Sequence, residues 1–125
     1  MAVKNDRVRV YLLSEVGSDG AVDQQYVRQP STESDQGYWA GRAYISGRTT
    51  VVGGQEQRIV LYDVVMDDHV PVANGDDIVL AVLGSGEEEI QFLKVHSLGL
   101  LPLTGEKIAR TEDVSDENWA DRLTV

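Results

Sequence analysis

Residues 44–66 read "YISGRTTVVGGQEQRIVLYDVVM", two apolar-rich runs joined by a polar stretch far longer than a hairpin turn needs. Tyr38 to Ile45 and Ile59 to Met66 alternate in the manner of strands. Between them, Gly53-Gly54 accepts positive φ freely, so a two-residue turn there lets Thr49 to Val52 and Gln55 to Arg58 continue the strands as a ribbon. A turn alone would need only the glycines. The additional length gives the stretch reach, and Val51 and Val52 have little to cover them in a single chain. They are expected to be disordered in isolation and ordered when copies pack together.

Working outward, "RVRVYLL" places Val8, Val10 and Leu12 opposite Arg7, Arg9 and Tyr11, which predicts a half-buried strand over Arg7 to Leu13. Gly17 and Gly20 around Ser18-Asp19 then signal a turn, with a returning strand near Gln25 to Gln29. "PSTESDQG" has no large apolar residue and reads as a surface connection. In "YWAGRAYI", Trp39, Ala43 and Ile45 share a face, and Gly41 marks a bulge or a close backbone approach.

"RIVLYDVVM" and "DIVLAVLG" are apolar on both faces, as central strands of a closed or stacked sheet are. Asn74-Gly75 is a turn into the second of these, and "GSGEEE" leads to a further strand in "IQFLKV". Only the C-terminus reads as helix, with Ser115 as N-cap and Val114 with Trp119 as a hydrophobic staple. The pattern predicts an all-β fold: a small antiparallel β-barrel of about six strands, with a long central hairpin loop and a short C-terminal helix or extended tail. Residues 1–110 form the barrel, 46–58 its projecting loop, and 111–125 the tail.

The chain has 125 residues, a size that supports one ordinary core. It has no cysteine, which excludes disulfides, thiolate metal sites and cysteine nucleophiles. A formal net charge of −10 opposes a broad phosphate-binding face. Neither a signal peptide nor a membrane span is expected.

Chemistry-bearing motifs are sparse. His69 and His96 lack the spacing of a zinc site, and are expected in a loop and at a strand end. Asp67-Asp68, Asp76-Asp77 and Glu87 to Glu89 match no calcium loop and read as solvated turns. Ser46 and Ser85 lie outside any nucleophile elbow, and "GSGEEE" has no phosphate-loop lysine. No enzyme activity, metal or cofactor is expected. Tyr38, Tyr44 and Arg42 offer an alternative, an OB-like module stacking single-stranded nucleic acid or carbohydrate, although strand alternation separates Trp39 from the two tyrosines.

The segment "WAGRAYISGRTTVVGGQEQRIVLYDVVMDDHVPVANGDDIVL" resembles the head-to-tail stopper, or head-completion, proteins of long-tailed bacteriophages. The order of features carries the resemblance: Gly41-Arg42, then Gly53-Gly54 with Glu56, the strand centre Tyr62 to Val65, the acidic Asp67-Asp68, and Gly75-Asp76 before the next strand. It covers roughly the central third of the chain, made of β punctuation that unrelated folds share. The C-terminal stretch from Leu98 onward has no counterpart in it.

The resemblance implies a homo-oligomeric ring, twelvefold or sixfold, at the neck of the virion, assembled from the host cytoplasm. Its partners would be further copies of itself, the adaptor and portal proteins, and the tail terminator or tail tube. It further implies that a channel-plug loop, Ser46, Gly47, Arg48, Thr49, Thr50, Val51, Val52, Gly53, Gly54, Gln55, Glu56, Gln57 and Arg58, meets packaged DNA only sterically, with no membrane contact. An acidic lumen suits DNA passage, because strong phosphate attraction would stall the genome. Trp119 and Leu123 are then expected to dock on a neighbouring subunit or the adaptor.

Overall fold

The computed structural model of the chain describes residues 4–18, 21–29 and 37–124. Its strands are β1 (Asp6–Ser18), β2 (Ala21–Gln29), β3 (Tyr38–Val52), β4 (Gln55–Met66), β5 (Ile78–Leu83), β6 (Glu89–Leu100), β7 (Lys107–Asp113) and β8 (Leu123–Thr124). They make one eight-stranded sheet in the order β3-β4-β7-β6-β5-β1-β2-β8, with β3 also pairing with β1. That last pairing, Asp6↔Ala40 to Val8↔Tyr38, closes six strands on themselves as a ring. All-β architecture is as the alternation predicts. The sheet is mixed rather than purely antiparallel, because β8 runs parallel to β2 at Tyr26↔Leu123 and Val27↔Thr124.

The inside of the ring is filled. Val8, Val10, Ala40, Val64, Met66, Ile78, Leu80, Val82, Leu93 and Ala109 are buried together, each at an alternate position of its strand. Val70 and Val72 join them from the β4–β5 loop and close one mouth. Lys107 ties that loop down, its Nζ donating to the carbonyls of Val70 at 2.7 Å and Val72 at 2.9 Å. The loop ends at Gly75, whose φ of 89° supplies the turn read at Asn74-Gly75.

A second core lies outside the ring. Tyr11, Val79 and Ala81 point away from the lumen and pack with Tyr26, Val114 and Trp119. β5 is therefore buried along both faces, which explains its unbroken apolar run.

Several sequence expectations are corrected here. About six strands were expected, and β7 and β8 are the additional two; β7 runs straight through the boundary expected at 110/111. No helix forms among the described residues, and Ser115 caps none. Its hydroxyl donates to Asp113 at 2.5 Å and accepts from the backbone N–H of Phe92 at 2.9 Å, inside a turn. His96 stands at a bulge within β6 rather than at a strand end. Ser18, expected in a turn, instead ends β1 opposite Ala21, while Asp19, Gly20 and most of "PSTESDQG" lie outside the described residues.

Candidate functional site

β3 and β4 stay paired from Ser46↔Leu61 to Val52↔Gln55, well past the last β4–β7 pair at Leu61↔Glu112. Residues 46–58 are therefore a two-stranded ribbon leaving the ring. Gly53 and Gly54 turn it, with φ of 59° and 80°, both left-handed as a two-residue primed turn demands. A side chain at either glycine would meet nothing, so backbone conformation alone selects glycine there. Val51 and Val52, at 69% and 57% exposure, form an apolar tip. The disorder expected of this stretch in a single chain is not what the structure has: it is paired to its tip without a second copy, and that order counts against a channel plug.

The exit of the ribbon is braced. The register shifts between Tyr44 and Ser46, leaving Ile45 as the extra residue of a bulge. The bulge lies at Ile45, four residues beyond the Gly41 that suggested one. Tyr44 folds back across Gly47 and meets Tyr62 edge-on at 6.0 Å between ring centres. Together with Val60, Arg58, Asp113, Ser115 and Asp116, the two tyrosines line a cleft of about 450 Å³ at the base of the ribbon.

The mouth beneath this exit is closed by polar side chains. Arg42 donates through Nε to Asp6 at 3.1 Å and through Nη1 to Gln91, and Gln91 Nε2 donates to Asp113 at 2.8 Å. Burial pushes the Asp113 carboxyl up. The hydroxyl and N–H of Ser115 and the Gln91 amide, aided by the charge of Arg42, outweigh it and hold Asp113 below the usual carboxylate range.

This network sets Arg42 apart from the two tyrosines of the alternative platform. Arg42 is engaged in the mouth, and Tyr38 packs half-buried against the core with His69 edge-on at 5.9 Å. Only Tyr44 of the three is open. No shared stacking face is assembled, since Tyr38 and Tyr44 are roughly 20 Å apart along the strand. Trp39 and Ile45 point outward, away from the lumen.

Trp119, expected as an interface anchor, is instead a core residue of its own chain. It is 3% exposed, stacked on Phe92 at 5.5 Å and edge-on to Tyr26 at 5.3 Å, with Nε1 donating to the Val114 carbonyl at 2.7 Å. Leu123 packs half-buried beside it in β8. The surrounding cluster explains the change: Tyr26 and Phe92 offer an aromatic slot that no local sequence pattern announces.

The acidic clusters are not all solvated turns: Glu89 lies in β6 and accepts from the Tyr11 hydroxyl at 2.6 Å, and Asp77 accepts from the Tyr26 hydroxyl at 2.9 Å. Asp67 accepts from Lys4 at 2.8 Å, which holds its carboxyl below the ordinary range, and Lys4 also pairs with Glu106. His96 faces Glu112 at 2.9 Å. Among the described residues no group of three or more histidine or acidic side chains is placed to hold a metal ion.

No protein-family model matches the chain, and no curated protein matches its sequence.

Proposed function

We propose that the chain is a non-catalytic assembly protein, a head-to-tail connector of the stopper type in a long-tailed bacteriophage. In this reading the six-strand ring is a closed barrel that serves as a rigid body, and copies of it stand in a larger ring at the virion neck. Adaptor and portal lie on one side of that ring and the tail terminator or tail tube on the other. The chain uses no cofactor and works by protein contact alone.

The observation that carries the proposal is the ribbon. A two-stranded arm with exposed valines at its tip gains nothing for the stability of its own ring, because it lies outside both cores. Such an arm is useful when it reaches something beyond the body. Arms directed inward from neighbouring copies would bring their valine tips together and obstruct a channel. Pairing along the ribbon keeps each arm extended before assembly, which lowers the ordering cost of closing it.

Deleting the gene tests this. The expected result is DNA-filled heads that leak DNA and fail to join tails, restored by the full chain. Normal yields of tailed, infectious particles without the chain would overturn the proposal.

A further inference from the structure

At the base of the ribbon one sheet edge is left open. β7 pairs with β4 from Met66↔Lys107 to Leu61↔Glu112 and then leaves it, while β4 runs back to Gln55 paired, among the described residues, with β3 alone. Ser115 makes the departure. Its N–H and hydroxyl donate to the Asp113 carboxylate at 2.9 and 2.5 Å, and its Oγ accepts from the Phe92 N–H at 2.9 Å, so the chain turns towards β6 instead of following β4. At alternate positions of residues 56–60, backbone N–H and C=O groups therefore face the gap that a longer β7 would have filled. An edge of this kind accepts an added strand.

The gap has shaped walls. The cleft of about 450 Å³ bounded by Tyr44, Val60 and Tyr62 lies beside a second, of about 340 Å³, bounded by Gln57, Ile59 and Val114, and Arg58, Asp113 and Asp116 line both. Glu56, Glu112 and Glu117 also line the second cleft. Glu112 is met by His96 and Glu117 by Arg122, each at 2.9 Å, and Arg42, behind Asp113, is engaged by Asp6 at 3.1 Å. Glu56, Asp116 and Arg58 have no ion-pair partner among the described residues. Even with Arg58 counted against them, the carboxylates facing the gap are in excess.

Tyrosine rings beside unneutralised carboxylates suit a guanidinium, which stacks on a ring face while its N–H groups meet a carboxylate. We infer that residues 56–60 take an extended, arginine-containing segment of a partner protein as an added strand, with one arginine seated against Tyr44 and Asp116. The segment comes from a different protein. The alternating arginines of this chain, Arg7 and Arg9, are held inside the sheet by β3 and β5, and a second copy carrying −10 is repelled from an acidic gap. The inference rests on this gap alone and needs nothing from the connector reading.

The test uses the full chain, labelled for NMR, and the capped peptide Arg-Val-Arg-Thr-Arg at low salt. Binding is expected to shift amides within 56–60 and to protect alternate ones from hydrogen exchange. The same peptide N-methylated at all its backbone nitrogens keeps its charge but cannot donate to a strand edge, and is expected to bind about tenfold more weakly or worse. Asp116→Asn and Tyr44→Leu are each expected to weaken binding about threefold.

No shift at millimolar peptide would overturn the inference. So would equal binding of the N-methylated peptide, which would reduce the attraction to net charge, or equal binding of a peptide with glutamate in place of each arginine. Protection of the 56–60 amides that rises with protein concentration alone would assign the edge to a second copy and overturn it as well.

Discussion

Trp119 shows how a single side chain changes role with its surroundings. In sequence it sits in a short amphipathic stretch, five residues after Val114, at the spacing of a staple on a helix. In the structure the same two residues do touch, through Nε1 and the Val114 carbonyl, but across turns rather than along a helix. Its partners Tyr26 and Phe92 come from distant strands, a relation no local pattern contains. Trp119→Ala should cost the monomer about 3–5 kcal/mol, measured by urea unfolding. A variant as stable as the parent would return Trp119 to the surface.

Tyr26, in the same cluster, makes a pH prediction. Burial, then its hydrogen bond to Asp77 at 2.9 Å, pushes the Tyr26 hydroxyl up to about 12 from 10.0. The unfolded chain loses this proton first, so the stability tied to the neutral phenol is complete below pH 10 and disappears as pH rises from 10 towards about 12. Tyr11 adds in the same direction: burial and its bond to Glu89 at 2.6 Å raise it. Tyr26→Phe should lower stability near neutrality by about 1–2 kcal/mol by leaving Asp77 without this donor, while reducing the alkaline loss. An alkaline limb identical to that of the parent would show that Tyr26 is not a source of it.

At the scale of elements, legibility followed hydrophobic contrast. The ribbon turn, the Asn74-Gly75 turn and the double-faced burial of β5 were readable because glycine conformation and apolar runs are local properties. β7 was not. Its lumen-facing residues are Ala109 and Thr111, small because the ring interior is crowded, so "KIARTED" shows charge where a strand usually shows valine. The candidate site was legible as a stretch, residues 46–58, but its brace of Tyr44, Gly47 and Tyr62 depends on a bulge that only the pairing reveals.

The ribbon itself yields a test at this scale. Removing 48–51 and 56–59 takes matched residues from both strands and preserves the alternation of faces. Because these residues lie outside both cores, stability should change by less than about 1 kcal/mol. A loss of cooperative unfolding would mean that the ribbon is part of the folding unit.

Across the whole molecule, two apolar cores share the sheet, one inside the ring and one beneath the C-terminal segment. The polar chain Asp6–Arg42–Gln91–Asp113 closes one mouth, and the Val70–Val72 loop closes the other. Asp113 is held below the ordinary carboxylate range, so its contribution is present above that range and is lost as pH falls through its lowered pKa. Asp113→Asn should flatten this acid limb and cost about 1–3 kcal/mol at neutral pH, read by denaturant midpoints. An unchanged acid limb would place the acid sensitivity elsewhere, with Asp67 a further source of the same sign.

The central claim is that this ring and its ribbon act by contact at a particle neck. Cryo-electron microscopy of DNA-filled particles tests it most directly. The account predicts copies of the chain arranged as a ring between portal and tail, with the residue 46–58 ribbons converging on the channel axis. A neck fully built from other proteins, or this chain present there with its ribbons turned outward from the channel, would contradict it.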